Sequence, residues 1–307
     1  MKKIILTLLS LLLCATFIVG LASCNGTTTT TTNPTGTTGA DGDYTEPDTP
    51  SDKVNIKFFK VGKANATLIR SGDIAILIDT GENEDEDENG KYDDAEKILA
   101  YLTEKGVADI DYLIVSQFNK NHSGGVKTIL ENITVKNVIE PDYTKIGNAY
   151  DEYRASLQAA GITPVAVTET KEIKAGGLSL TLYPAKEASS TANQDEYYSL
   201  AVAVDSDGLD ILITSDIVGA RITDLIAKLG GKKFDIVQMP NHGEYSNQVE
   251  ELVNACAPSY AVIFSSKNNP ADTRLTNFLT GKSITTYLTM NGSVEAKLKD
   301  GELTVKQ

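Results

Sequence analysis

Apolar and polar positions alternate in Val54-Asn55-Ile56-Lys57-Phe58, the period of a half-buried strand. Residues 66–70 and 74–78 read as two more strands, with Ser71-Gly72-Asp73 between them as a hairpin turn. Residues 95–105 carry helical spacing and stop at Gly106. Residues 111–115 form a short apolar strand, and residues 126–131 a helix behind Gly124-Gly125. The same style recurs later, with strands over residues 178–183, 199–205, 210–214, 235–238 and 261–264. Helices are expected over residues 219–229 and 247–255. Residues 285–288 and 293–297 read as a last strand pair joined through Asn291-Gly292. Hairpins mixed with strand–helix units predict two sheets with helices outside them. No composition break divides the stretch, so residues 52–307 are expected to form one domain.

The N-terminal stretch follows a different pattern. Met1-Lys2-Lys3 is basic, residues 4–21 are almost entirely apolar, and the run ends Leu21-Ala22-Ser23-Cys24. A basic start, an apolar run and small residues before a cysteine read as a lipoprotein signal peptide over residues 1–23. The alternative is a transmembrane anchor, for which the run is marginally long enough. On the lipoprotein reading Cys24 carries the lipid, and the membrane is the first partner. The address is then the bacterial cell membrane, facing outside the cytoplasm. Residues 24–51, mostly Thr, Gly, Pro and Asp, offer almost nothing apolar to bury and read as a disordered tether. Of the three cysteines, Cys14 leaves with the leader and Cys24 is lipidated. Cys256 is then left without a disulfide partner.

Composition adds charge to this picture. Across 307 residues, 28 Lys and Arg face 42 Asp and Glu, a formal net charge of -14. Phosphate backbones need cationic partners, so nucleic acid is a poor expected partner. Much of the excess is local: residues 82–94 hold eight acids, among them Glu82, Glu84, Asp85, Glu86, Asp87 and Glu88, against one lysine. A solvated loop is the plain reading. A Ca²⁺ site or a docking surface for a basic partner are the sharper ones, without EF-hand spacing.

Histidine is the scarce chemistry: only His122 and His242 occur. Their surroundings carry a resemblance. Phe59-Lys60-Val61-Gly62-Lys63-Ala64-Asn65-Ala66 resembles the opening VGQGDA of one family, and Leu77-Ile78-Asp79-Thr80-Gly81 its IDTG. Residues 115–125, from Val115 through His122 to Gly125, sit where that family carries THxHxDHxGG. Ile213-Thr214-Ser215-Asp216 resembles FTGD, and Met239-Pro240-Asn241-His242-Gly243 resembles PHHG. In this order the motifs resemble the metallo-beta-lactamase superfamily, in the branch related to the competence protein ComEC. The resemblance implies an α+β fold, a four-layer αββα sandwich, and hydrolysis assisted by one or two Zn²⁺ or Mn²⁺ ions.

Against the resembled motifs, Gln117, Asn119, Asn121 and Asn241 stand at expected ligand positions, and all are neutral amides. Only His122, Asp216 and His242 keep strong ligand types. Amides bind zinc more weakly than imidazole or carboxylate, so dinuclear catalysis is not expected. Lys63 would repel a dication if it pointed inward. The first expectation is an inactive domain that binds a protein or small-molecule ligand, with no resident cofactor. The alternative is a divergent hydrolase of phosphodiesters, nucleotides or cell-envelope esters using a single Zn, Mn or Ca ion. Asp216 and His122 would then be the catalytic pair. His122 and His242 read equally as ligands or structural residues. Asp79, Gly124 and Gly125 read as structural support, and the amides as a hydrogen-bonded lattice in place of metal.

Overall fold

A computed structural model describes residues 53–82, 94–186 and 194–307. The leader, the tether and the acidic residues Glu84, Asp85, Glu86, Asp87 and Glu88 lie outside the described residues. No helix of the described residues is long and apolar enough to cross a membrane.

The fold opens as an antiparallel meander of β1 (Lys53–Phe58), β2 (Thr67–Ser71) and β3 (Ile74–Ile78). Crossovers then add parallel strands. α1 (Asp94–Glu104) leads to β4 (Asp109–Ile114). α2 (Lys120–Ser123) and α3 (Val126–Asn132) lead to β5 (Thr134–Pro141), and α4 (Asn148–Ala160) to β6 (Val165–Val167).

A second meander follows, of β7 (Lys171–Ala175), β8 (Leu178–Tyr183), β9 (Ala201–Ser206) and β10 (Leu209–Ile213), with α5 (Gln194–Tyr198) before β9. Parallel strands again extend it. α6 (Ala220–Leu229) leads to β11 (Ile236–Gln238), α7 (Asn247–Cys256) to β12 (Tyr260–Ile263) and α8 (Thr273–Gly281) to β13 (Thr285–Leu288). β14 (Val294–Lys299) and β15 (Glu302–Lys306) return to the first sheet. The strand orders are β15-β14-β1-β2-β3-β4-β5-β6 and β13-β12-β11-β10-β9-β8-β7.

The alternation of side chains makes the layers. Ile211 and Ile213 of β10 enter the core shared with the first sheet, while Leu212 joins the core formed with α6, α7 and α8. Val262 of β12 faces the first core, and Ala261 and Ile263 the second. On the other side Ile98, Leu102, Ile129 and Leu157 of α1, α3 and α4 pack into the first core. All five residues of β3 are buried, as covering on both faces requires. Two paired sheets flanked by helices form the expected αββα sandwich.

One sequence expectation is corrected. β13 and β14 are not a hairpin: Val262 pairs Tyr287 in one sheet, and Ile56 pairs Ala296 in the other. Thr289–Asn291 is a single 3-10 turn that carries the chain between layers. An Asn-Gly pair reports a change of direction, and the partner of each strand is set by which core its face can bury.

Candidate metal centre

Parallel strands carry their C-terminal ends to one edge of each sheet, and those ends supply the site. β3 delivers Asp79, β4 leads to Ser116 and Gln117, β10 to Ser215 and Asp216, and β11 to His242. The backbone is held in unusual turns there: Asp79, Ser215, Asn241 and His242 have φ of 60°, 53°, 44° and 55°. Left-handed conformations at residues other than glycine persist only where surroundings enforce them. Gln238 is one enforcer, its Oε1 accepting from the backbone N–H of Thr214 at 3.0 Å and of Ser215 at 2.8 Å.

The loop that bears His122 is tied down on both sides. The backbone N–H and Oγ1 of Thr80 donate to the His122 carbonyl at 2.8 and 3.0 Å, and the N–H of Asn65 donates to that of Asn121 at 2.9 Å. Gly125 permits this approach: a Cβ there would lie 2.5 Å from the Thr80 carbonyl oxygen and 2.8 Å from Ala95 Cβ. Gly124 sits with φ -61° and ψ -36° at the end of α2, a conformation open to any residue.

Asp79 is buried behind His122. Its Oδ1 accepts from the Ser116 N–H at 2.7 Å, and its Oδ2 accepts from Ser116 Oγ at 2.7 Å and His122 Nδ1 at 2.8 Å. Ser116 Oγ also lies 2.6 Å from Ser215 Oγ, which joins the two sheet edges. When the ring is neutral, a carboxylate on Nδ1 keeps the proton there and leaves the Nε2 lone pair facing forward.

Forward of it lies Asp216. His122 Nε2 is 3.0 Å and His242 Nε2 2.9 Å from the same Asp216 Oδ2. The three ligand atoms lie within 4.8 Å of one another, and all three residues are buried. Two donors about 2.1 Å from a shared tetrahedral ion stand roughly 3.4 Å apart, so the cluster is near the size such an ion needs. His242 Nδ1 and Asn65 Oδ1 are buried without partners. Without an ion the cluster is an ionic one. Burial opposes charge on His122, but the carboxylates of Asp216 and Asp79 outweigh it and hold the imidazole up at about 10. Burial likewise opposes ionised Asp216, yet the two imidazoles keep its carboxyl far below the usual range.

The amides take separate places. Gln117 is buried, with Nε2 2.5 Å from His122 Nε2 and 3.0 Å from Asp216 Oδ2. Asn121 Nδ2 lies 3.5 Å from His242 Nε2. Asn119 donates weakly to Gln117 Oε1 at 3.4 Å, while its own oxygen accepts from Lys145. Asn241 is not drawn in: it donates to Glu244 at 2.6 Å. Lys63 is exposed, so the expected clash of an inward lysine does not arise. Glu82, the one described member of the named acids, pairs with Lys120.

The expectation of no cofactor is therefore overturned. His122, Asp216 and His242 converge into a buried group that could hold a metal ion. The cause is tertiary: β4, β10 and β11 bring together residues that sequence motifs show only separately. Two nitrogens and one oxygen suit Zn²⁺ or Mn²⁺ better than Ca²⁺, which prefers oxygen alone. Among the described residues this three-ligand group is the one metal cluster, short of the set a dinuclear centre requires. Sequence reasoning missed Ser116, Ser215, Gln238, Tyr143, Lys145 and Asp195 as neighbours of the site. Ser116, Ser215 and Asn65 lie inside the resembled motif segments and so carried a positional signal; Asn65 Nδ2 donates to Asp216 Oδ1 at 3.3 Å.

Residues 60–267 match the family model described as Metallo-beta-lactamase superfamily. Over 210 residues the chain is 28% identical to Recombination protein 2 of Haemophilus influenzae, covering 68% of this chain and 24% of that protein. Over 180 residues it is 27% identical to ComE operon protein 3 of Bacillus subtilis, covering 57% and 22%. The chain thus matches only about a quarter of the length of these curated relatives. Tm1679, a metal-dependent hydrolase of the beta-lactamase superfamily, is similar in structure with TM-score 0.54 and 16% identity, over 81% of this chain and 100% of its own. The metallo-beta-lactamase fold protein YhfI of Bacillus subtilis matches with TM-score 0.50 and 10% identity, over 83% and 100%. At such identities these structures show a shared fold.

Proposed function

The chain belongs to the metallo-beta-lactamase superfamily, and from that footing we propose that it is a divergent, single-ion metal-dependent hydrolase. Its substrate would be a phosphodiester, a nucleotide or a cell-envelope ester. The observation that carries this reading is the convergence of His122, Asp216 and His242 within 4.8 Å. These three would hold the ion, which supplies Lewis-acid activation of water and of the scissile bond.

The rest of the work falls to this chain's own residues. Asp79 orients His122 through Nδ1 and adds a second buried carboxylate, so Asp79 and Asp216 together balance a divalent charge. Gln117, whose Nε2 is 3.0 Å from Asp216 Oδ2, supplies an amide that can fix a polar group beside the triad. Asn121, 3.5 Å from His242, can orient a substrate or water but cannot take a proton. Loss of a carboxylate base at that position makes turnover slow. The test is a panel of phosphodiesters and esters with Zn²⁺ or Mn²⁺ supplied: turnover abolished by D216A supports the reading, and none in the wild type refutes it.

A binding role is the second reading, favoured by the amides Gln117, Asn119 and Asn121 at ligand positions. The name of one curated relative, ComE operon protein 3, supports placement in the ComEC-related branch. Nucleic acid remains a disfavoured partner under a net charge of -14. Lipid on Cys24 would hold the domain outside the cytoplasmic membrane. Incorporation of labelled palmitate, lost in C24S, checks that anchor.

A further inference from the structure

We infer that Lys145 forms an oxyanion subsite beside the metal triad, positioning an anionic group of the substrate. The inference rests on the single-ion hydrolase reading and narrows its substrate to one with a phosphate or carboxylate near the scissile bond.

Lys145 lies between β5 and α4, distant in sequence from every motif. Its Nζ donates to Asn119 Oδ1 and, at 2.6 Å, to Asp195 Oδ2. Asn119 Nδ2 reaches Gln117 Oε1 at 3.4 Å, and Gln117 Nε2 touches both His122 and Asp216. Two amides therefore separate a lysine ammonium from the triad. The ammonium is held from behind. The other oxygen of Asp195 accepts from the Tyr143 hydroxyl at 2.5 Å, and that hydroxyl accepts from the Phe118 N–H at 3.0 Å. The Tyr143 ring stacks on Tyr198 at 4.7 Å and 14°. Both oxygens of Asp195 are thus engaged.

An ammonium has three N–H donors. Asn119 and Asp195 use two, and no third partner is present among the described residues. The side chain is 23% exposed, so a ligand can reach the remaining donor while partial burial limits screening. A surface ion pair would need only Asp195. Here the lysine also engages Asn119, at a position where the resembled motif carries a metal ligand. That arrangement holds an ammonium, with one donor left for a ligand, two amides away from Asp216.

The test titrates inorganic phosphate, and separately acetate, into the full chain with and without Zn²⁺, with metal content read in the same samples. The wild type is expected to bind one of the two anions, phosphate indicating a phosphoester substrate and acetate a carboxylate. K145M is expected to weaken that binding at least about tenfold, the range of a charged hydrogen bond. K145R should stay within about threefold. K145Q, which keeps a donor for Asn119 without charge, should show the same loss as K145M and serves if K145M fails to fold. Metal content should be unchanged in all three. Unchanged anion affinity in both K145M and K145Q, or no binding of either anion by the wild type, overturns the subsite. A wild type that takes up no metal removes the hydrolase reading instead, and anion binding by the metal-free chain still decides the role of Lys145.

Discussion

Asp79→Asn tests how the site is built. The substitution keeps size, and asparagine accepts the φ of 60° at this position. It converts one carboxylate oxygen to an amide NH2, a donor where an acceptor stood. Asp79 Oδ2 now accepts from Ser116 Oγ and from His122 Nδ1, at 2.7 and 2.8 Å. If the amide NH2 faces His122, two donors oppose each other, which disfavours the Nδ1–H that both the imidazolium and the metal-ligating tautomer carry. If the amide NH2 faces the Ser116 N–H, that buried donor loses its partner. Either way one buried charge-assisted hydrogen bond is lost, about 1.5–3 kcal/mol of stability. Metal affinity should fall roughly 10–100-fold, the usual scale for losing an orienting partner. Chelator competition measures the affinity and urea unfolding the stability. With only two histidines in the chain, ring resonances in NMR spectra follow the protonation of His122 directly. A D79N protein with wild-type metal affinity and unchanged His122 ring resonances would refute the orienting role.

Metal uptake should release a proton: His122 is held up at about 10 without metal, so an ion must displace that proton at pH 7–8, and affinity should rise with pH across this window. Calorimetry in buffers of differing ionisation enthalpy reads it. In the metal-free protein the His122 contribution to stability is full below about 6.5 and is lost as pH rises through about 10. That of Asp216, whose carboxyl is held low, is present above about 3.8 and is lost only in stronger acid. Gly125→Ala should destabilise by about 2–3 kcal/mol, because its Cβ would meet the Thr80 carbonyl oxygen at 2.5 Å; an unchanged urea midpoint would contradict this. The Cys256 thiol, pushed up to about 12 by burial, should react with a thiol reagent such as Ellman's only after unfolding.

Much of this was legible in the chain. Val54 to Phe58 and Ile74 to Ile78 declare their strands because period and burial agree. The motif residues His122, Asp216 and His242 could be named, but their union could not: contacts across 94 and 26 positions depend on which strand ends share an edge. The amides at four ligand positions suggested a metal-free lattice, and of them Gln117 does donate to Asp216. What that reading missed is that three strong donors converge, with Asp79 orienting one of them, into a group that could hold an ion. Lys145 and Asp195 carry no motif signal, since an ion pair across 50 positions leaves no pattern in a single sequence.

The most direct measurement is elemental analysis of protein purified without chelator and reloaded with Zn²⁺ or Mn²⁺. About one ion per chain is expected, with the ion lost in H122A, D216A and H242A and retained in N241A, whose amide turns to Glu244. A folded wild-type chain that holds no ion after loading, or a D216A variant that holds it as well as wild type, would contradict the account.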